Sequence, residues 1–288
     1  MDNSAKIKIG TCAWSYEDWR GVFYPEHLPA ANRLEFYGRH LPAVEVDSTF
    51  YHPPTAKNAA HWAEVTPPEF AFSCKLPREM THERKLRDCQ GPLEEFQEAL
   101  RPLHGKLWCV LVQLPPFFQP AQDETALRSF VRQLPREMRF AIEFRHTDWH
   151  HPRIIHLLSE HRVAWAWNDL TSVEHQQEGA YEFLPDTADF VYVRLMGDLE
   201  RKYGPTGRPV HHYRELMWPR DAALDSWALR VQQAAETHAG VFVAVSNHYE
   251  GFAPETAQRL GERLGLTLQP PEVGRGGDTS TDGQLNLL

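Results

Sequence analysis

Six charged side chains fall late in four short apolar runs, and their types could hold an anion and move a proton. In Ala43–Asp47, Val44 and Val46 make an apolar face, so period-two alternation sets Glu45 and Asp47 on the other. In Phe70–Lys75, Phe72 and Cys74 alternate with Ser73 and Lys75. In Arg139–Arg145, Phe140, Ile142 and Phe144 alternate with Glu143 and Arg145, and in Phe190–Met196 the valines alternate with Tyr192 and Arg194. Arginines 145 and 194 can make bidentate bonds to phosphate or carboxylate, and Lys75 adds a mobile point charge. Glu45 or Glu143 would then serve as general acid or base, tuned by burial and the neighbouring cations. The competing reading is that these are ion pairs fixing strand register. Six charges on four strands favour function, because apolar filling would be at least as stable.

The elements that position them alternate along the chain. Strands are expected at Ile7–Thr11, Ala43–Asp47, Phe70–Lys75, Leu107–Gln113, Arg139–Arg145, Val163–Asn168, Phe190–Met196 and Val241–Ser246. Amphipathic helices are expected around Asn32–His40, Lys57–Glu64, Leu93–Leu103, Glu124–Gln133, Arg153–His161, Asp221–His238 and Pro254–Leu264. Such alternation implies parallel pairing with both sheet faces covered, and eight strands fit a single TIM-type (β/α)₈ barrel over residues 1–266. Barrel sites lie at the C-terminal ends of the strands, where the charged residues fall. The sixth helix is the weak link, since Leu170–Ala188 shows little periodicity. Gly197–Arg220 is a long connection of the kind that is often functional. Residues 267–288 turn to Pro, Gly, Thr and Asp and read as a flexible tail.

Composition sets limits on the function. The 288 residues carry a net charge of −9, which argues against indiscriminate nucleic-acid binding. Two segments run against that balance: Lys75–Arg87 and Arg194–Arg214 each hold five bases against two acids. No apolar run is long enough to cross a membrane, and residues 1–6 lack a secretory leader, so a cytoplasmic location is expected. The four cysteines (Cys12, Cys74, Cys89, Cys109) are spaced irregularly for a zinc site or redox pair, and Cys74 and Cys109 sit in strand patterns as core residues.

A set of ordered motifs carries a resemblance. Ile9-Gly10-Thr11-Cys12-Ala13-Trp14-Ser15-Tyr16, Trp19-Arg20-Gly21, Val44-Glu45-Val46-Asp47-Ser48-Thr49-Phe50-Tyr51, Phe72-Ser73-Cys74-Lys75, Thr81-His82, Glu143-Phe144-Arg145, Tyr192-Val193-Arg194-Leu195 and Asn247-His248-Tyr249-Glu250-Gly251 resemble the YecE-like family, a domain of unknown function (number 72). The resemblance covers about residues 7–265 and implies a TIM-type barrel, without supplying an activity. Three departures stand out. Cys12-Ala13 replaces a small residue and glycine, Asp47 an asparagine, and Met196 a histidine.

The favoured reading is an enzyme acting on a phosphate-bearing substrate, a small molecule or nucleic acid, by general acid/base chemistry. Glu45, Glu143 and Lys75 would be catalytic, and Arg145 and Arg194 would hold the anion. Trp14 and Tyr51 would shape the mouth, with Asp47, His82, Asn247 and His248 as further substrate contacts. No cofactor is identified. A divalent metal on Asp47, Glu143, His82, His146 or His248 is not favoured, because no local ligand spacing supports it and the interleaved cations would repel it. A glycoside hydrolase is an alternative, with Glu45 and Glu143 as paired carboxylates and Trp14, Trp19 and Tyr51 as sugar-stacking surfaces. The terminal Gln284-Leu285-Asn286-Leu287-Leu288 resembles the peptide that docks proteins onto the bacterial sliding clamp. It opens a third reading, a non-catalytic nucleic-acid-binding accessory protein.

Overall fold

The structure is a computed structural model that describes residues 4–169, 184–199 and 212–271. Nine strand segments, all parallel, follow one another around an axis: β1 (Ile7–Cys12), β2 (Ala43–Val46), β3 (Ala71–Lys75), β4 (Leu107–Gln113), β5 (Phe140–Glu143), β6 (Ala164–Trp165), β7 (Trp167–Asn168), β8 (Phe190–Leu195) and β9 (Gly240–Val245). Their order is β6-β5-β4-β3-β2-β1-β9-β8-β7. The two ends of that row are neighbours in sequence, parted by Ala166, so the sheet curls into a nearly closed TIM-type barrel.

The single sixth strand expected at Val163–Asn168 is therefore two short pieces. Its first piece pairs with β5 and its second with β8, and the Ala166 N–H still donates to the Ile142 carbonyl at 2.9 Å. Where β6 has no ladder on its other side, the Thr187 hydroxyl substitutes. It donates to the Val163 carbonyl and accepts from the Trp165 N–H, both at 2.7 Å. A side chain thus satisfies two buried backbone groups that strand pairing leaves over.

Helices cover the outside: α1 (Arg33–His40), α2 (Ser48–Tyr51), α3 (Ala56–Val65), α4 (Gln90–Leu100), α5 (Pro120–Gln133), α6 (Pro152–His161), α7 (Asp221–Thr237), α8 (Asn247–Glu250) and α9 (Ala253–Arg263). Their starts follow local chemistry. The Thr55 hydroxyl caps α3 by accepting from the Asn58 N–H at 3.2 Å, and proline opens α5 and α6, where a missing N–H costs nothing. The short α2 and α8 are too brief to show periodicity and were not expected from the pattern. The weak sixth helix falls mostly on residues 170–183, outside the described residues.

Alternation divides the strands into two cores. Val44, Phe72, Val110, Ile142, Val193 and Val243 face outward against helix side chains such as Leu34, Phe96, Phe130, Leu158 and Leu260. The inward set is smaller in size: Cys12, Ala43, Ala71, Cys109, Ala141, Ala164, Ala166 and Ala244 surround Phe190, Tyr192 and Phe242. Small residues are needed there because the aromatics fill the axis. Trp108 closes the lower end with ring centroids 5.4 Å from Phe190 and 5.3 Å from Phe242, and Tyr192 stacks on Phe242 at 5.1 Å. Gly10 lets β1 approach β2 so closely that a Cβ there would overlap the Ala43 carbonyl.

Candidate active site at the barrel mouth

Above the Tyr192 ring the barrel interior turns ionic. Arg194 donates from Nε to Glu45 Oε2 at 2.8 Å and from Nη2 to Glu45 Oε1 at 2.6 Å, and its Nη1 donates to Glu143 Oε2. Tyr192 Oη lies 2.8 Å from Glu45 Oε2 and 2.7 Å from Ser73 Oγ. These charges are fully enclosed, with side-chain exposures of 1% for Arg194 and 0% for both glutamates. Strand register puts them at one level, since Glu45 pairs with Ser73 and Arg194 with Asn168 near the strand ends. The structure thus brings together the three residues expected as base, acid and anion clamp, and it spends their hydrogen bonds on one another.

Glu143 connects this layer to the next. Its Oε1 accepts from Arg145 Nε at 2.7 Å, so the carboxylate bridges a buried guanidinium and one that reaches the mouth. Burial by itself would raise the Glu143 carboxyl, but the Arg194 and Arg145 charges overcome it and hold it at about 2. Arg194 is driven the other way by both carboxylates and stays charged. Burial and the Glu45 carboxylate push the Cys12 thiol well up, so it remains a thiol.

The mouth layer is cationic and aromatic. Lys75 Nζ sits 3.5 Å from Asp47 Oδ1 and 4.4 Å above the Phe50 ring. Asp47 is placed just past β2, at the start of α2, where its carboxylate meets the Lys75 ammonium across adjacent strands. His82 lies on a π-helical turn, Glu79–Glu83, closed by the Arg84 N–H to the Glu79 carbonyl at 2.8 Å. Single π turns recur at functional sites because they re-aim one side chain. The His82 ring packs edge-on to Phe50 at 5.0 Å, and its Nδ1 is 2.9 Å from Thr81 Oγ1. Burial first, then the charges of Lys75, Arg78 and Arg145, push its imidazole down to about 4.

The remaining expected residues are spread around the rim. Trp14 lies edge-on to Trp62 at 5.7 Å and is partly buried, whereas Tyr51 is 67% exposed. His248 Nε2 is 3.3 Å from Tyr213 Oη, and burial lowers its pKa. Asn247 is buried, and its Oδ1 accepts from the Ala253 N–H at 2.9 Å, tying α8 to α9. Trp19 is fully buried against Phe23, Tyr24 and Phe252, so it packs the first loop instead of stacking a sugar. All four cysteines are buried and unbridged, Cys74 and Cys109 within strands β3 and β4. Residues 200–211, half of Gly197–Arg220, and Gln284, Leu285, Leu287 and Leu288 in the tail lie outside the described residues.

Metal chemistry finds one grouping among the described residues: Cys12, Glu45 and Asp47 place ligand atoms within 4.8 Å of one another. Both Glu45 oxygens are engaged by Arg194, and Lys75 stands beside Asp47, so the local charge opposes a divalent ion. His82, His146 and His248 do not join that group.

A family model described as a protein of unknown function, DUF72, matches residues 8–276. The chain belongs to the DUF72 family. Among its relatives, UPF0759 protein YunF of Bacillus subtilis is 26% identical over 271 residues, covering 90% of this chain and 95% of its own length. UPF0759 protein YecE of Escherichia coli K12 is 32% identical over 143 residues, half of each chain. The crystal structure of the DUF72 protein TM1631 from Thermotoga maritima superposes with a TM-score of 0.72 at 26% identity, covering 90% of this chain and 99% of that one. Among the described residues no helix is long and apolar enough to cross a membrane.

Ala13, Asp47 and Met196 each follow directly on the C-terminal end of a strand, β1, β2 and β8. Ala13 has a left-handed backbone (φ 64) with its N–H donating to the Glu45 carbonyl at 2.8 Å, which is why glycine suits that place. Asp47 gains a salt bridge to Lys75, and the Met196 N–H is held by Asp169 Oδ1 at 2.5 Å. No site role was expected for Phe50, which entered only as part of a motif, or for Phe117; a lone phenylalanine in a turn carries no spacing that marks it.

Proposed function

We propose that the protein is an enzyme that acts on a phosphate-bearing substrate at the barrel mouth by general acid/base chemistry. One observation carries the reading: Lys75 lies 4.4 Å from the Phe50 ring and Lys85 lies 5.2 Å from the Phe117 ring, the two rings against which the half-buried His82 packs at 5.0 and 6.1 Å. Burial first, then the charges of Lys75, Arg78 and Arg145, keep that imidazole neutral, and it is those cations that favour an anion beside it. Lys75 and Arg145 hold the phosphate, and the neutral imidazole of His82 accepts a proton as the substrate reacts. Glu143 positions Arg145 through its 2.7 Å bond, while Glu45 and Arg194 form the rigid floor beneath. This shifts the proton-handling role from Glu45 and Glu143, whose oxygens are all engaged by guanidinium groups, and it weakens the glycosidase reading for the same reason.

Calorimetric titration with tripolyphosphate tests the anion site. Wild type is expected to bind with an affinity that falls as salt rises, and Lys75→Ala/Arg145→Ala to bind at least about tenfold more weakly. A folded double variant with wild-type affinity overturns the assignment. Turnover of phosphomonoesters and phosphodiesters, lost in His82→Ala, separates an enzyme from a binding protein. The accessory-protein reading is supported by the terminal Gln284–Leu288 pattern. It predicts binding without turnover, and clamp association that disappears when those five residues are removed.

A further inference from the structure

Three large apolar side chains are more than half exposed among the described residues, and two of them flank the cationic mouth: Tyr51 at 67% and Phe117 at 52%. Tyr51 ends α2, just after β2, and Phe117 stands on the loop after β4, on either side of the segment after β3 that carries His82. Between them runs a continuous series of rings. Tyr51 meets Phe50 at 5.1 Å, Phe50 meets His82 at 5.0 Å, and His82 meets Phe117 at 6.1 Å. Cations line the same series: Lys75 lies 4.4 Å from the Phe50 centroid and Lys85 lies 5.2 Å from that of Phe117.

The backbone is held to this arrangement against its own preference. Lys85, Leu86 and Asp88 all have left-handed φ angles (49, 61 and 50) directly after the π turn. Non-glycine residues keep such conformations only where surrounding contacts enforce them, and clusters of them are typical of ligand clamps. Here the Leu86 N–H donates to the Met80 carbonyl at 2.8 Å, and Arg87 reaches Asp123 at 2.8 Å to anchor the loop against α5.

We propose that the ligand is a nucleobase carried on phosphate. The phosphate lies against Lys75 and Arg145, and the base stacks on the exposed rings at Tyr51 or Phe117. The inference rests on the phosphate reading above and adds the planar, aromatic part of the ligand. Exposed aromatic rings interleaved with lysine and arginine are the arrangement that binds unpaired bases, because every base offers a π face while the cations follow the backbone. A duplex would hide those faces, so the base must be free or single-stranded.

The test titrates wild type and Tyr51→Ala/Phe117→Ala with four probes: oligothymidylate, thymidine 5′-monophosphate, ribose 5-phosphate and tripolyphosphate. Both rings are exposed, so the double variant is expected to fold normally, which its thermal transition checks. The expected result is that the thymidine probes bind about tenfold or more tighter than ribose 5-phosphate, and that the ring variant loses this advantage while tripolyphosphate affinity is unchanged. An oligonucleotide preferred over the mononucleotide identifies a strand as the source, and equal affinity identifies a free nucleotide; either supports the base. Ribose 5-phosphate binding as tightly as the thymidine probes, or a ring variant with undiminished thymidine affinity, overturns the base while leaving the anion site standing. Absence of tripolyphosphate binding overturns the anion site itself, and this proposal with it.

Discussion

Arg194 holds Glu45 through two parallel bonds, Nε to Oε2 at 2.8 Å and Nη2 to Oε1 at 2.6 Å, in the middle of the barrel and out of reach of solvent. The pair is bidentate, and the third guanidinium nitrogen is taken by Glu143. Removing the arginine would leave the Glu45 carboxylate buried without a counter-charge and Glu143 with Arg145 as its remaining cation. Arg194→Ala is therefore expected to cost about 3–5 kcal/mol in stability, read from urea denaturation midpoints. Arg194→Met should also reverse the acid response at Glu45, gaining stability as pH falls and the orphaned carboxylate takes up a proton. A variant as stable as wild type would show that the ionic floor is not structural.

Glu143 gives wild type its own pH dependence. Its carboxyl is held at about 2 in the fold against an ordinary 4.5, so the unfolded chain takes up the proton first. The stabilisation from this group is complete above pH 4.5 and is lost as pH falls towards 2, amounting to about 3 kcal/mol. Denaturation midpoints in that window should flatten in Glu143→Gln. A slope unchanged by the substitution would assign the acid response to other groups.

His82 reports on the mouth directly. Its ring-proton NMR resonances should titrate near 4 instead of 6.5, and Arg145→Ala or Lys75→Met should raise the midpoint by removing a repelling charge. Tripolyphosphate should raise it too, because an anion favours the imidazolium. A midpoint indifferent to all three would leave burial as the whole cause.

Ala13 offers a gain. A left-handed alanine costs about 1–2 kcal/mol, partly offset by the extra chain freedom that glycine brings to the unfolded state. Ala13→Gly should stabilise the fold by about 0.5–1 kcal/mol, seen as a higher thermal midpoint, and no gain would mean that the Ala13 methyl makes compensating contacts.

One hydroxyl completes the backbone pairing of β6 at the barrel seam. Thr187→Val keeps the shape but orphans the Val163 carbonyl and the Trp165 N–H, at a cost of about 2–4 kcal/mol. Hydrogen exchange at the Trp165 amide should accelerate with it; a protected amide in the variant would place the closure elsewhere.

The sequence by itself determined the parallel strand–helix alternation and which face of each strand points inward. Apolar period two in Val44-Glu45-Val46 and Phe140-Ala141-Ile142-Glu143 admits one assignment of sides, and a slip of one residue would bury the wrong set. It also put Glu45, Lys75, Glu143, Arg145 and Arg194 at the same end, because strand position sets height along the axis. Tertiary structure alone decided how those charges are spent. Which cation meets which carboxylate depends on strand order around the ring and on register between strands far apart in sequence, such as Glu45 and Arg194. The broken sixth strand is decided the same way, by barrel curvature that local propensity does not encode. So is the approach of Phe50, His82 and Phe117, since three loops converge only once β2, β3 and β4 stand side by side.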